Sequence, residues 1–127
     1  MSADDSARFT CTVKVQHLPD QSQEETGTHA FAYTVTIVNT GSVTAQVVAR
    51  RWLITNAHGQ TEEVRGLAVV GHQPVLKPGE QFEYTSWVRL DTPMGTMHGT
   101  LFCMTEDAHA FESEVPEFML APPAALH

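Results

Sequence analysis

Apolar and polar residues alternate with a period of two along much of the chain. Phe9, Cys11, Val13 and Val15 point one way while Thr10, Thr12, Lys14 and Gln16 point the other. Phe31, Tyr33, Val35 and Ile37 repeat the pattern against Ala32, Thr34, Thr36 and Val38. Successive side chains of a strand emerge on opposite faces, so each stretch predicts a half-buried β-strand. A third apolar run, Val47 to Ile54, carries Trp52 and ends at the turn Asn56-Ala-His-Gly59. Further strands are predicted over Phe82 to Leu90, Met97 to Met104 and Ala110 to Val115, with a short one near Glu62 to Val64. Asn39-Thr-Gly41, Pro78-Gly79 and Thr92-Pro-Met-Gly95 supply the turn chemistry between them. No apolar stripe at helical spacing runs beyond two turns. Pro122 and Pro123 cannot donate to a ladder, so pairing should stop near Leu120. About seven short strands without helices predict an all-β fold, an antiparallel β-sandwich of two packed sheets.

Length and charge narrow the function classes. A chain of 127 residues suits one hydrophobic core. The expected domain covers residues 8–120, with a flexible N-terminal tail over 1–7 and a C-terminal tail over 121–127. Asp and Glu outnumber Lys and Arg by 15 to 7, for a formal charge of −8. That balance repels phosphate backbones, so no nucleic acid is expected as a partner. A cationic partner or a metal ion fits the charge better. The segment Met1 to Ala7 has no basic flank and no apolar stretch, unlike a signal peptide. No apolar run approaches the ~20 residues of a membrane span, and cytoplasmic residence is the expectation. Two cysteines, Cys11 and Cys103, are too badly spaced around Trp52 for an antibody-type disulfide, and two buried thiols are expected.

Several short stretches, taken in order, resemble the ApaG family. They are Gln21-Ser22, Arg51-Trp-Leu-Ile-Thr55, Glu63-Val-Arg-Gly66, Val69-Val-Gly-His-Gln-Pro74, Leu76-Lys-Pro-Gly-Glu80 and Phe82-Glu-Tyr-Thr-Ser86. Leu90-Asp-Thr-Pro93, Gly95-Thr-Met97, Gly99 and Val115-Pro-Glu-Phe-Met-Leu120 complete the series. The resemblance implies an immunoglobulin-like, fibronectin type III-like sandwich. It also implies a genetic link to cobalt resistance and magnesium efflux without a settled mechanism. Related domains of some eukaryotic F-box proteins and of a polymerase-delta-interacting protein are taken to bind protein partners. Membership of such a family says much about fold and little about chemistry.

Candidate chemistry is sparse. The family often shows G-x-G-x-x-G where this chain reads Gly66-Leu-Ala-Val-Val-Gly71, with Ala68 in the middle position. A phosphate-binding loop needs close backbone approach and a following helix, which His72-Gln-Pro74 and Lys77-Pro-Gly79 do not begin. The bland reading is a loop crossing between sheets, with Gly66 and Gly71 at positive φ or against another backbone. The alternative is a pyrophosphate-type anion at Arg65, Gly66, Gly71 and His72.

Metal binding is a separate alternative. His17, His29, His58, His72, His98, His109 and His127 show no ligand-pair spacing. Met94, Met97, His98, Cys103 and Met104 form the one soft-ligand concentration, though Met97 and Cys103 share a core face where packing accounts for them. No resident cofactor is expected, and a divalent metal is left open. Neither a G-x-S-x-G elbow nor a suggestive cysteine flank appears, so the chain is not expected to be an enzyme. If Phe82, Tyr84, Ser86 and Val88 face inward, Trp87 projects outward, a side chain of the kind that dominates binding interfaces. Arg50 and Arg51 make a basic spot beside Trp52, and one of them should pair with Glu62 or Glu63. Trp87 and Arg51 are therefore the candidate contacts for a protein partner.

Overall fold

The computed structural model describes residues 6–19, 22 and 27–123. Gln21, His127, and most of the two expected tails lie outside the described residues. Eight strands follow one another: β1 (Phe9–His17), β2 (His29–Asn39), β3 (Ala45–Asn56), β4 (Thr61–Leu67), β5 (Val75–Leu76), β6 (Gln81–Leu90), β7 (Gly95–Thr105) and β8 (Ala110–Leu120). One sheet has the order β1-β2-β6 and the other β4-β3-β7-β8, with β5 added beside β3. All pairings are antiparallel. The expected all-β sandwich is thus present. Seven of its strands are those the alternation marks; the eighth, β5, is two residues long and carries no periodic signal.

The alternation of β1 and β2 is realised as read. Phe9 and Cys11 are buried, as are Phe31, Tyr33, Val35 and Ile37, and the partner positions turn outward. In β3 the alternation breaks. Val47 pairs with Cys103 and Ala49 with Phe102, so Val48 is an extra residue, a β-bulge. From Val47, strict alternation would send Trp52 to solvent. The bulge shifts the phase, and Arg50 and Trp52 both turn into the sandwich, opposite buried Leu101 and Gly99. A second irregularity lies at Pro116, where β8 advances from Val115 to Phe118 while β7 moves only from Gly99 to Met97. Proline donates no ladder bond, and a bulge on an edge strand tolerates it. This lets β8 continue past the predicted end at Val115 to Leu120, where pairing stops as expected.

The core lies between the sheets around Phe31, Val35, Ile37, Val47, Leu101, Val115 and Leu120. Trp52 lies across Gly99, whose missing side chain makes room for the indole. Tyr33 and Phe118 meet the indole edge-on, with ring centroids 5.5 and 6.1 Å away. Buried Asn39 ties the crossings between sheets together. Its Nδ2 donates to the carbonyls of Val43 (2.9 Å) and Leu76 (2.8 Å), and its Oδ1 accepts from the Gly41 amide (2.9 Å).

The two flanks of the sandwich differ. On one side β1 packs along β8, whereas no comparable contact joins β4 to β6 on the other. Both β4 and β6 are edge strands, so the sandwich is closed along one seam and open along the opposite one.

Candidate functional site

The open flank encloses a cavity of about 380 Å³ between the inner faces of the sheets. Tyr33, Tyr84 and Ser86 line it from the β2–β6 side, and Arg50 and Trp52 from β3. Trp87, Arg89, Val70 and Glu62 stand at its margin. It adjoins a second hollow of about 480 Å³ reaching Gly27, Asn56 and Asp91, and Ile54, Glu62 and Arg89 line both. The result is a continuous cleft along the edges of β4 and β6.

Arg50 is the central charge. Its Nη1 donates to the carbonyls of Leu67 (3.0 Å) and Ala68 (2.9 Å). The guanidinium lies against Gly66, where a Cβ would stand 2.6 Å from Nη1. A side chain there would push the guanidinium aside, so Gly66 makes room for Arg50 and does not serve a left-handed φ of its own. No carboxylate among the described residues pairs with Arg50. Facing it across the cavity, the Tyr33, Tyr84 and Ser86 hydroxyls are neutral. Burial raises the Tyr33 hydroxyl above its ordinary pKa, opposed by its hydrogen bond with Ser86 and by the Arg50 charge. Burial likewise raises Tyr84, with help from Tyr33 and Cys11 and against the pull of Arg50. Both phenols keep their protons at neutral pH. Tyr84 Oη and Trp52 Nε1 are buried without a hydrogen-bond partner. Leaving such a group unpaired costs roughly 1–3 kcal/mol.

The loop after β4 supports this arrangement. Val69 and His72 exchange backbone bonds, Val69 N to His72 O at 2.8 Å and His72 N to Val69 O at 3.0 Å. Between them Val70 (φ 50°) and Gly71 (φ 79°) are both left-handed, as a mirror-image two-residue hairpin turn demands. The preceding Ala68 is also left-handed (φ 66°), and its amide donates to Val48. Most amides of the glycine loop are therefore committed to backbone. Its carbonyls, in contrast, hold Arg50.

The predicted site residues fall in different places. Arg65 lies on the outer face of β4 and donates to Glu63 at 2.9 Å. His72 meets Phe82 of the β1-β2-β6 sheet at a tilt, ring centroids 5.5 Å apart. The structure does not bring Arg65 and His72 together. Gly66 sits under Arg50, and Gly71 occupies the turn. Arg51 pairs with Glu63 at 2.7 Å, the ion pair expected for one of the two arginines. Its two arginine partners hold the Glu63 carboxyl below its ordinary pKa. Trp87 projects outward and is 55% exposed, with the Arg89 guanidinium 4.6 Å from its ring centroid. Ser86 faces the cavity, as predicted. Cys11 and Cys103 are free, buried thiols, and burial pushes them up to about 11 and about 12. Met97 and Cys103 are buried while Met104 is exposed. No group of three His, Cys, Asp or Glu among the described residues could hold a metal ion, and none of the described helices is long and apolar enough to cross a membrane. What the sequence reading missed is Arg50 as an inward residue. The signal was the five-residue spacing of Val47 and Trp52, which cannot both face inward without a bulge.

The model of the ApaG domain matches residues 19–105. The chain belongs to the ApaG family. It is 55% identical to Protein ApaG of Ralstonia nicotianae over 119 residues, 94% of this chain and 96% of the relative. Protein ApaG of Dechloromonas aromatica is 50% identical over the full length of both chains. A crystal structure from Bordetella pertussis, 49% identical, superposes with a TM-score of 0.90 and covers 94% of this chain and 97% of that one. Trp52, Val64, Tyr84 and Ser86 of the cavity lining lie in the stretches that carry the family resemblance, whereas Tyr33, Arg50, Glu62, Trp87 and Arg89 lie outside them.

Proposed function

We propose that the chain is a non-enzymatic ApaG-type binding module that receives an extended segment of a protein partner in the cleft between β4 and β6. The observation that carries this reading is the open flank itself: two unpaired strand edges framing a cavity, with Trp87 and Arg89 exposed at its mouth. Edge strands offer backbone donors and acceptors to an added strand, and pockets between the sheets take its alternate side chains. Trp and Arg are the residue types that most often dominate binding energy. The protonated, buried thiols supply no nucleophile at neutral pH, which favours binding over covalent chemistry. In this reading the family's link to cobalt resistance and magnesium efflux runs through the partner, and the module acts in the cytoplasm.

Site-specific photocrosslinking in bacterial cells tests the proposal. A photoreactive amino acid at position 87 should give a discrete heavier adduct, and one at exposed position 12, on the outer face of β1, should not. Equal labelling from both positions, or none from position 87, would refute the cleft as the partner site.

A further inference from the structure

Resting on the cleft as the binding site, we infer that Arg50 is an anion-recognising residue that takes one carboxylate of the bound segment, and that the glycine-rich loop exists to hold this arginine. Arg50 faces inward because of the Val48 bulge. Its Nη1 is fixed by the Leu67 and Ala68 carbonyls, and Gly66 leaves the space in which the guanidinium lies. Two bonds from one nitrogen leave Nε and Nη2 to a ligand. A planar guanidinium held in place matches a carboxylate with two parallel bonds. Tyr84 Oη and Trp52 Nε1, buried without partners on the two facing walls of the same cavity, are donors of the kind an anion requires.

Charge decides which anion. The ionised groups lining the cavity are Arg50, Arg89 and Glu62, two positive and one negative, so its net charge is +1. Glu62 and Arg89 border both hollows and Asp91 lines the adjoining one, so the entrance sums to −1 and its repulsion grows with each further charge on a phosphate. A single carboxylate, from an Asp or Glu side chain or a chain terminus, is the matching load. The loop that resembles a pyrophosphate cradle thus serves as an arginine holder, its carbonyls turned to a cation while its amides stay in the turn.

Nitrogen-15 NMR of the whole protein reads this directly, because the indole N–H of Trp52 and the Nε–H of Arg50 both report from the cavity wall. Titration with propionate, against sodium chloride at equal ionic strength, should move both signals saturably. Arg50→Gln should weaken the apparent affinity by about tenfold. Arg50→Lys keeps the charge, guards against misfolding, and should retain part of the response. Arg65→Gln should change nothing. Propionate without a saturable shift, or a Trp52 response of undiminished affinity in Arg50→Gln, would overturn the assignment. So would pyrophosphate producing the response in propionate's place. Loss of the carboxylate response with crosslinking at position 87 intact would refute the role of Arg50 alone. The converse result would refute the protein-partner reading and leave a small carboxylate as the ligand.

Discussion

Gly99 is where packing can be tested most sharply. A Cβ added there would stand 2.5 Å from the Arg51 carbonyl oxygen, 2.6 Å from Trp52 Cε3 and 2.9 Å from Cζ3. Comfortable carbon contacts lie near ~3.5–4.0 Å, so Gly99→Ala must move the indole or the backbone of β3 by most of an ångström. Neither moves freely. β7 is bonded to a neighbour on each side, and the indole is flanked edge-on by Tyr33 and Phe118. Overpacking of this kind costs roughly 1–3 kcal/mol, against which the stiffer unfolded chain returns about 0.4–1 kcal/mol. Because one clash is with a backbone carbonyl, the net loss is expected at about 1–2 kcal/mol, a fall in Tm of roughly 4–8 °C. Urea unfolding followed by tryptophan fluorescence, beside a thermal melt, measures both. Gly59→Ala is the control: its Cβ meets nothing within 4 Å, and its φ of 81° costs about 1 kcal/mol through backbone strain alone. A Gly99→Ala protein within about 0.5 kcal/mol of the parent, with unaltered native emission, would refute the placement of Trp52 over β7.

Two further outcomes follow from the same structure. Val70 is exposed and β-branched at φ 50°, a conformation that suits Asn, so Val70→Asn should stabilise the protein by about 0.5–1 kcal/mol, and a lowered urea midpoint would contradict the turn geometry. The Cys11 and Cys103 thiols have folded pKa values of about 11 and about 12 against an ordinary 9.0. Unfolding therefore releases protons above pH 9, so stability should be full below that value and decline as the pH climbs toward 11. At neutral pH a thiol reagent should label both cysteines only in denaturant, and rapid labelling of the native protein would sink their assignment to the core.

The strands were legible because burial on one face imposes period two, which β1, β6 and β7 keep throughout and β2 keeps from Phe31 onward. For the same reason the outward Trp87 and the inward Ser86 could be read from spacing, whereas the sequence left open which of Arg50 and Arg51 meets which of Glu62 and Glu63. Phase is what spacing cannot carry across a bulge. One extra residue at Val48 exchanges the roles of Arg50 and Arg51, so the sequence pointed to the surface arginine while the cavity arginine stayed hidden. The glycine loop resisted reading for another reason. A glycine can serve its own φ, as Gly71 does, or a neighbour's side chain, as Gly66 does, and only the cross-strand partner distinguishes them. The cavity depends on which flank of the sandwich closes, a property of sheet against sheet that no single strand encodes.

Asn39 has a consequence for how the molecule comes apart. One amide spans the end of β2, the passage into β3 and the backbone of β5, so two of the three transfers of the chain between layers are tied to a single side chain. Separating the layers at that end breaks all three bonds together and strands a buried amide, which couples the loss of one layer to the loss of the other.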